Sequence, residues 1–156
     1  MNQKLNVVLM ACRQAVPDPF LLINPLEQAG LKARVIQEPC SSKVEVFQML
    51  RTLASDADLL WIVGCPEPAC QLVEGSFRMT KRVGHAKEYL EEIGLEPERL
   101  GMTQLPAGNQ EVFAATMKEI MERARSLGAN PAYSTSRPAC SHLASRSGIP
   151  HFGGQR

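Results

Sequence analysis

"DLLWIVGC", residues 58–65, is the segment of this 156-residue chain that says most about its architecture. An acidic residue precedes an unbroken apolar run, and a proline-rich turn follows it. A run of this kind is typical of a central strand in a parallel sheet, because helices cover both faces of such a strand. The segment therefore predicts an α/β fold with this strand near the middle of the sheet.

Strand-like and helix-like segments alternate on both sides of this run. Further strands are predicted at 5–11, 32–38 and 100–105. Helices are predicted where apolar residues recur at steps of three and four, at 18–30, 43–57, 76–93 and 109–127. The order βαβαβαβα predicts a single small, doubly wound parallel sheet with helices on both faces. Right-handed crossovers favour a flavodoxin-like sheet, with the second strand beside the first and the third on its other side; a Rossmann half is the alternative.

The last part of the chain differs in character from the rest. Residues 130–156, "NPAYSTSRPACSHLASRSGIPHFGGQR", have no hydrophobic period and are rich in Pro, Ser, Gly and Arg. Such a composition is typical of a disordered segment, and it becomes ordered only where it lies on something else. We therefore predict an α/β domain at 1–129 and an irregular C-terminal extension at 130–156 that docks on a partner subunit.

Composition and charge exclude several classes of protein. Hydrophobic residues make up 44% and charged residues 21%, which is ordinary for a soluble globular protein. The formal net charge of +1 gives no global field for nucleic acid or a membrane surface. The apolar runs are shorter than the ~18 residues needed to enter and span a bilayer. With no secretory signal pattern at the N-terminus, we expect a cytoplasmic protein whose thiols stay reduced.

Four cysteines follow the predicted strands closely. Cys12, Cys40 and Cys65 come after the first, second and third strands, and Cys70 stands five residues beyond Cys65 across a turn with two prolines. The carboxyl ends of parallel strands meet at one edge, with neighbouring strands roughly 5 Å apart. The sequence thus predicts that these thiols converge in the crevice where open α/β sheets bind ligands.

Four thiolates at one place suit a soft metal centre, either an iron–sulfur cluster or a four-cysteine zinc site. The chain has five cysteines, an odd number at irregular spacing, which fits metal binding better than a disulfide framework. The absence of a C-x2-C pair counts against structural zinc. The remaining alternative is that these cysteines are small buried hydrophobes. Cys140, in the C-terminal extension, is expected to be a bystander.

The segment "LLWIVGCPEPACQLVEGSFRMTKRVGHAKEYLEEIGLEPERL" at 59–100 resembles the delta subunit of methyl-viologen-reducing hydrogenase. The shared features are the strand ending in Gly64-Cys65, the turn leading to Cys70, the step Glu74-Gly75, a basic helix and "GLEPER" at 94–99. Upstream, "PCSSKVEVFQML" at 39–50 resembles the family's cysteine-containing segment that opens the second helix. The resemblance covers roughly residues 5–128 and leaves the C-terminal extension out.

The resemblance implies a [2Fe–2S] cluster with the ligands Cys12, Cys40, Cys65 and Cys70. One departure stands at the first strand, where the family commonly has two cysteines and this chain has Leu9 three positions before Cys12. The resemblance further implies a non-catalytic electron-transfer subunit. Its partners would be the flavin-containing iron–sulfur subunit of a heterodisulfide reductase-like complex and a second redox enzyme module.

The residues around the turn allow two interpretations. Prolines fix φ and would hold a cluster ligand pair rigidly. The helix beginning near Ser76 is expected to point its positive end at the site, with Arg78, Lys81 and Arg82 in its first two turns. Positive potential near a cluster raises its reduction potential. The alternative is a structural docking module of a multi-subunit complex, with a four-cysteine zinc site or no metal.

Overall fold

The computed structural model describes residues 4–132, in which strands and helices alternate as predicted. The strands are β1 (Asn6–Cys12), β2 (Lys32–Glu38), β3 (Leu59–Gly64) and β4 (Leu100–Gln104). The helices are α1 (Phe20–Gln28), α2 (Val46–Ser55), α3 (Gly75–Glu92) and α4 (Gln110–Leu127). None of these helices is long and apolar enough to cross a membrane.

The four strands form one parallel sheet in the order β2-β1-β3-β4. Residue Val8 of β1 lies opposite Leu60 of β3, and Leu60 in turn lies opposite Leu100 of β4. This order confirms the flavodoxin-like arrangement, with the second strand beside the first and the third on its other side. A Rossmann half would instead place the first strand at the edge of the first three.

Two hydrophobic cores lie on opposite faces of the sheet, because successive side chains of a strand point to opposite sides. Val7 and Leu9 of β1 pack on one face, with residues of α1 and α4. Val8 and Met10 pack on the other, with residues of α2 and α3. All six residues of β3 are buried, as expected for the unbroken apolar run.

Two of the differences between the predicted and observed helix ends have a clear cause. Ile93, the last residue of the predicted helix 76–93, is 71% exposed, because α3 ends at Glu92 and the chain turns at Gly94 with φ of +75°. The second helix begins at Val46 instead of residue 43. A short 3₁₀ turn precedes it, and Glu45 forms a capping box that starts the helix.

A buried arginine lies at the amino edge of the sheet and binds backbone carbonyls there. Arg99 is 1% exposed, and its guanidinium donates to four backbone carbonyls and to the carboxylate of Glu96 at 2.8 Å. The carbonyls belong to Asp58, Leu127, Gly128 and Ala129. The hydrogen bond from Arg99 is the main cause that holds the pKa of Glu96 below its ordinary value. Arg99 thereby ties the start of β4 to the end of α4.

Asp58 joins the two ends of the described chain. Its carboxylate accepts the backbone N–H of Asn6 at 2.7 Å and that of Asn130 at 2.8 Å. Asn130 is fully buried, and its side-chain amide donates to the carbonyls of Leu53 and Ala57. The segment 130–132 therefore packs on the α/β unit. The remainder of the C-terminal extension, with Cys140, lies outside the described residues, and the predicted division at 129/130 stays a prediction.

Candidate metal centre

The four cysteines named from the sequence meet at the carboxyl edge of the sheet. Cys12 is the last residue of β1, Cys65 directly follows β3, and Cys40 stands two residues beyond β2. Cys70 comes after one 3₁₀ turn that contains Pro68. All four line one cavity of about 240 Å³, together with Gln14, Pro39, Gln71 and Leu72.

The sulfur atoms are arranged in two pairs. The Sγ atoms of Cys12 and Cys65 are 3.5 Å apart. The Sγ atoms of Cys40 and Cys70 lie together beside Gly75, 2.6 Å and 3.1 Å from the position that a Cβ would take there. Two thiolates bound about 2.3 Å from one tetrahedral metal are about 3.8 Å apart, so the first pair is already near ligand spacing. Within residues 4–132, no three or more His, Cys, Asp or Glu side chains are grouped so as to hold a single metal ion. The site thus consists of two pairs around a cavity.

Because Gly75, the first residue of α3, has no side chain, there is space beside it for the sulfurs of Cys40 and Cys70. A Cβ at this position would lie 2.6 Å from the Sγ of Cys40 and 3.1 Å from the Sγ of Cys70. Real Cβ atoms do not approach a sulfur to 2.6 Å, so any side chain here would displace at least Cys40. The backbone of the helix start therefore packs directly against two of the four sulfurs.

The sulfur of Cys70 lies at the amino end of α3, beside Gly75. Partial burial raises the pKa of its thiol, but the backbone N–H groups of Ser76, Leu72 and Gly75 and the thiol of Cys40 lower it by more. The net result is a pKa below the ordinary value. The positive end of the helix thus faces the site, as predicted. On the neighbouring sulfur, the hydroxyl of Ser42 donates to Cys40 at 3.2 Å.

The first pair is chemically different. Burial raises the pKa of Cys65 to about 12, and the thiol of Cys12 and the charges of the other cysteines add to this effect. Cys12 itself points its thiol at the carbonyl oxygen of Pro39, 3.9 Å away. Without a metal Cys65 therefore keeps its proton at neutral pH. A cation bound between the sulfurs would displace that proton.

The three basic residues predicted for the first turns of α3 have different contacts. Arg82 donates to the carbonyls of Ser42 and Val44 and pairs with Glu45 at 3.2 Å. It thereby ties α3 to the loop that carries Cys40. Two others point elsewhere: Arg78 pairs with Glu74 at 2.7 Å, and Lys81 lies over the ring of Phe77. Only Arg82, of these three, contacts the cysteine loop.

Sequence reasoning did not assign roles to three residues of the site: Ser42, Gly75 and Ser76. Ser76 is buried, and its hydroxyl donates to the carbonyl of Cys65, which fixes α3 against the end of β3. The available signals were weak, since a serine two residues after a cysteine and a glycine at a helix start are both common. Their roles depend on contacts between segments far apart in the chain.

Comparisons with known proteins support the resemblance noted above. Residues 6–128 match the family described as methyl-viologen-reducing hydrogenase, delta subunit. The vhu iron–sulfur subunit of an F420-non-reducing hydrogenase from Methanopyrus kandleri is 34% identical over 95 residues, covering 61% of this chain and 72% of the relative. The corresponding iron–sulfur subunit of the F420-non-reducing hydrogenase of Archaeoglobus profundus is 30% identical over 124 residues, covering 79% and 90%.

A second kind of relative is a much longer protein. It is one of the subunits of the ferredoxin/F(420)H(2)-dependent CoB-CoM heterodisulfide reductase of Methanosarcina acetivorans. The identity is 34% over 95 residues, which is 61% of this chain but 12% of the relative. The chain is thus similar both to separate hydrogenase subunits and to a segment of a heterodisulfide reductase. With residues 6–128 matched, from β1 to the end of α4, this chain belongs to the methyl-viologen-reducing hydrogenase delta subunit family.

Proposed function

We propose that this chain is a non-catalytic electron-transfer subunit that carries one [2Fe–2S] cluster on Cys12, Cys40, Cys65 and Cys70. The observation that carries the proposal is the arrangement of their sulfurs, two close pairs around one cavity at the carboxyl edge. When bound, such a cluster supplies one-electron transfer and no bond chemistry on a substrate.

The geometry favours this group over a single zinc ion. Zinc in a four-cysteine site needs all four sulfurs around one point. Here one pair lies against Pro39 at the ends of β1 and β3, and the other lies against Gly75 at the start of α3. Two pairs that line one cavity suit a group with two metal atoms, each held by two thiolates.

The chain restrains these ligands from several sides. Pro66 and Pro68 fix φ in the turn between Cys65 and Cys70. Arg82 holds the loop of Cys40, and Gly75 leaves no free space beside the second pair. A site that moves little when an electron arrives is suited to fast electron transfer.

We further propose two partners: the flavin-containing iron–sulfur subunit of a heterodisulfide reductase-like complex and a second redox enzyme module, such as a hydrogenase. The names of the relatives support this pairing, because a similar segment is a separate hydrogenase subunit in some proteins and part of a heterodisulfide reductase in another. Because a similar segment is part of the heterodisulfide reductase subunit in that relative, we expect this separate chain to bind a subunit of the same kind. We expect the complex to work in the cytoplasm.

Exposed apolar residues near the site support a protein partner. Leu72 and Val73 follow Cys70 closely and are 59% and 80% exposed. Val73 has a φ of +55°, a conformation that β-branched residues rarely adopt, and it holds its side chain out in solvent. Phe77, in the first turn of α3, is also exposed. Exposed apolar side chains that follow one another beside a site are typical of a surface that another protein covers.

The test is metal analysis of the full chain purified without oxygen. Iron, acid-labile sulfide and zinc are measured, and a visible spectrum is recorded on the same sample. About two irons and two sulfides per chain, the content of one [2Fe–2S] centre, are expected. Zinc, or no metal, would overturn the electron-transfer proposal and leave the structural docking module. A Cys65→Ser variant that folds but loses the colour would support the ligand assignment.

A further inference from the structure

We propose that Cys12 and Cys65 hold one iron and Cys40 and Cys70 the other, and that the iron on Cys40 and Cys70 is the one that accepts the electron. This inference rests on the proposed function and specifies which half of the site holds the added electron.

The pairing follows from the positions of the sulfurs. Cys12 and Cys65 have their Sγ atoms 3.5 Å apart, close to the about 3.8 Å expected for two thiolates on one tetrahedral iron. The sulfurs of Cys40 and Cys70 lie together against the backbone of Gly75. Each pair would hold one of the two irons at the cavity that all four cysteines line.

The two pairs differ in the groups that face their sulfurs. The sulfur of Cys70 lies against Gly75, the first residue of α3, and the hydroxyl of Ser42 donates to the sulfur of Cys40 at 3.2 Å. In the other pair the hydrogen-bond partner of Cys65 is Cys12, and Cys12 faces a carbonyl oxygen. The half with Cys40 and Cys70 therefore has a hydroxyl donor and the positive end of a helix beside its sulfurs. The half with Cys12 and Cys65 has a carbonyl oxygen, a hydrogen-bond acceptor, beside one of its sulfurs.

This asymmetry decides which half better accommodates negative charge. An added electron increases the charge on the iron that receives it and on the two thiolates bound to that iron. Hydrogen-bond donors to these sulfurs and the positive end of the 18-residue helix α3 stabilise that charge. A carbonyl oxygen near Cys12 destabilises it. The electron is therefore more stable on the iron held by Cys40 and Cys70.

In a cluster held by these cysteines, one electron from a one-electron reductant would convert one ferric iron to ferrous. The reductant would be dithionite in the test and the redox enzyme module in the complex. No bond breaks and no proton is required. Because Cys70 is the most exposed of these four cysteines and Leu72 and Val73 come soon after it, the electron is held next to the exposed apolar residues.

Ser42→Ala tests the inference without changing a ligand. It removes one donor to Cys40, and Ser55→Ala is the matched control, because that hydroxyl binds the carbonyl of Arg51 on α2. Because this hydrogen bond is present in both oxidation states, only part of its free energy affects reduction, and its loss should lower the equilibrium constant for reduction about threefold to tenfold. A tenfold change is about 59 mV for one electron. The measurements are the midpoint potential and the proton couplings of the dithionite-reduced protein by electron paramagnetic and electron–nuclear double resonance.

The expected result is a lower potential and the loss of one exchangeable proton coupling in Ser42→Ala, with both unchanged in Ser55→Ala. A Ser42→Ala protein with wild-type potential and couplings would overturn the inference. A wild-type protein without iron and sulfide would instead overturn the proposed function, so the two failures are distinguishable.

Single Cys→Ser variants test the pairing separately. A serine ligand changes the spectrum differently on the reduced and the oxidised iron. The variants of Cys40 and Cys70 should therefore share one type of reduced-state spectrum, and those of Cys12 and Cys65 another. Spectra that pair Cys12 with Cys40 would overturn the assignment. If the serine variants do not retain the cluster, the result for Ser42→Ala still decides where the electron is held.

Discussion

At Gly75 the absence of a Cβ leaves space for two sulfur atoms. The backbone there is helical, so the need for glycine comes from the contact with Cys40 and Cys70 and not from an unusual φ. Gly84, in the same helix, has nothing within 4 Å of the position that a Cβ would take. Substitutions at the two glycines therefore distinguish the effect of an added methyl group on the cysteine site from its effect on the stability of the helix.

We predict that Gly75→Ala loses most of its bound iron while it keeps a native circular dichroism spectrum. The new methyl group would push the sulfur of Cys40 away from its ligand position. Gly84→Ala should keep its iron and gain about 0.5–1 kcal/mol in the free energy of unfolding, since alanine is the better helix former. Full iron content in Gly75→Ala would contradict the close approach described here.

A second prediction concerns the metal-free protein and pH. Burial keeps Cys65 protonated to a pKa of about 12, whereas the unfolded chain loses this proton near the ordinary value of 9.0. The folded state then binds more protons than the unfolded state between these values, so the metal-free fold should lose stability as pH rises above about 9. Urea unfolding at pH values of about 8 and about 10, on either side of that onset, measures this loss, and Cys65→Ala should reduce it.

The four cysteines could be predicted as a group because their positions at strand ends follow from the chain order alone. Ser42 and Gly75 could not be predicted in this way. Ser42 acts through a single hydrogen bond, and Gly75 through a contact between α3 and the distant loop that carries Cys40. Such contacts depend on how the elements pack and leave no periodic pattern.

Among the elements, α3 has the most direct influence on the site. Its first residues contact Cys70, the hydroxyl of Ser76 binds the carbonyl of Cys65, and Arg82 holds the loop of Cys40. The hydrophobic period predicted this helix correctly but extended it by one residue, to Ile93. A hydrophobic period identifies the buried face of a helix, whereas the exact end depends on local turn geometry, here at Gly94.

We predict that Arg82→Met weakens the retention of iron without unfolding the protein. The substitution keeps much of the apolar stem but removes the hydrogen bonds to the carbonyls of Ser42 and Val44, so the loop of Cys40 moves more freely. The rate of iron loss to a chelator should rise several-fold. Lys81→Met is the control, because Lys81 contacts the ring of Phe77 and not this loop. Equal rates of loss in both variants would contradict the role of Arg82.

For the molecule as a whole, the alternation of elements predicted both the parallel sheet and its strand order. Right-handed crossovers leave few ways to arrange four parallel strands, which is why topology was accessible without a structure. The buried Arg99 was not predicted, because a lone arginine after "GLEPE" has no pattern that distinguishes it from a surface residue. Its burial depends on the carbonyls that the end of α4 presents to it.

We predict that a chain truncated after Ala132 keeps its iron and its stability, whereas one truncated after Ala129 is less stable by about 1–3 kcal/mol. The shorter chain loses Asn130 and leaves an oxygen of Asp58 and the carbonyls of Leu53 and Ala57 without these donors. Urea unfolding and iron analysis measure the difference. If the extension docks on a partner, both truncated chains should also bind the flavin-containing protein more weakly.

The carboxylate of Asp58 has a consequence for how this unit can be built into other proteins. By binding the backbone at Asn6 with one oxygen and at Asn130 with the other, it brings the entry and exit points of the α/β unit side by side, at the edge opposite the cysteines. A unit with adjacent ends can be inserted into a surface loop of a longer polypeptide. The edge that carries the four cysteines then stays away from the points of insertion.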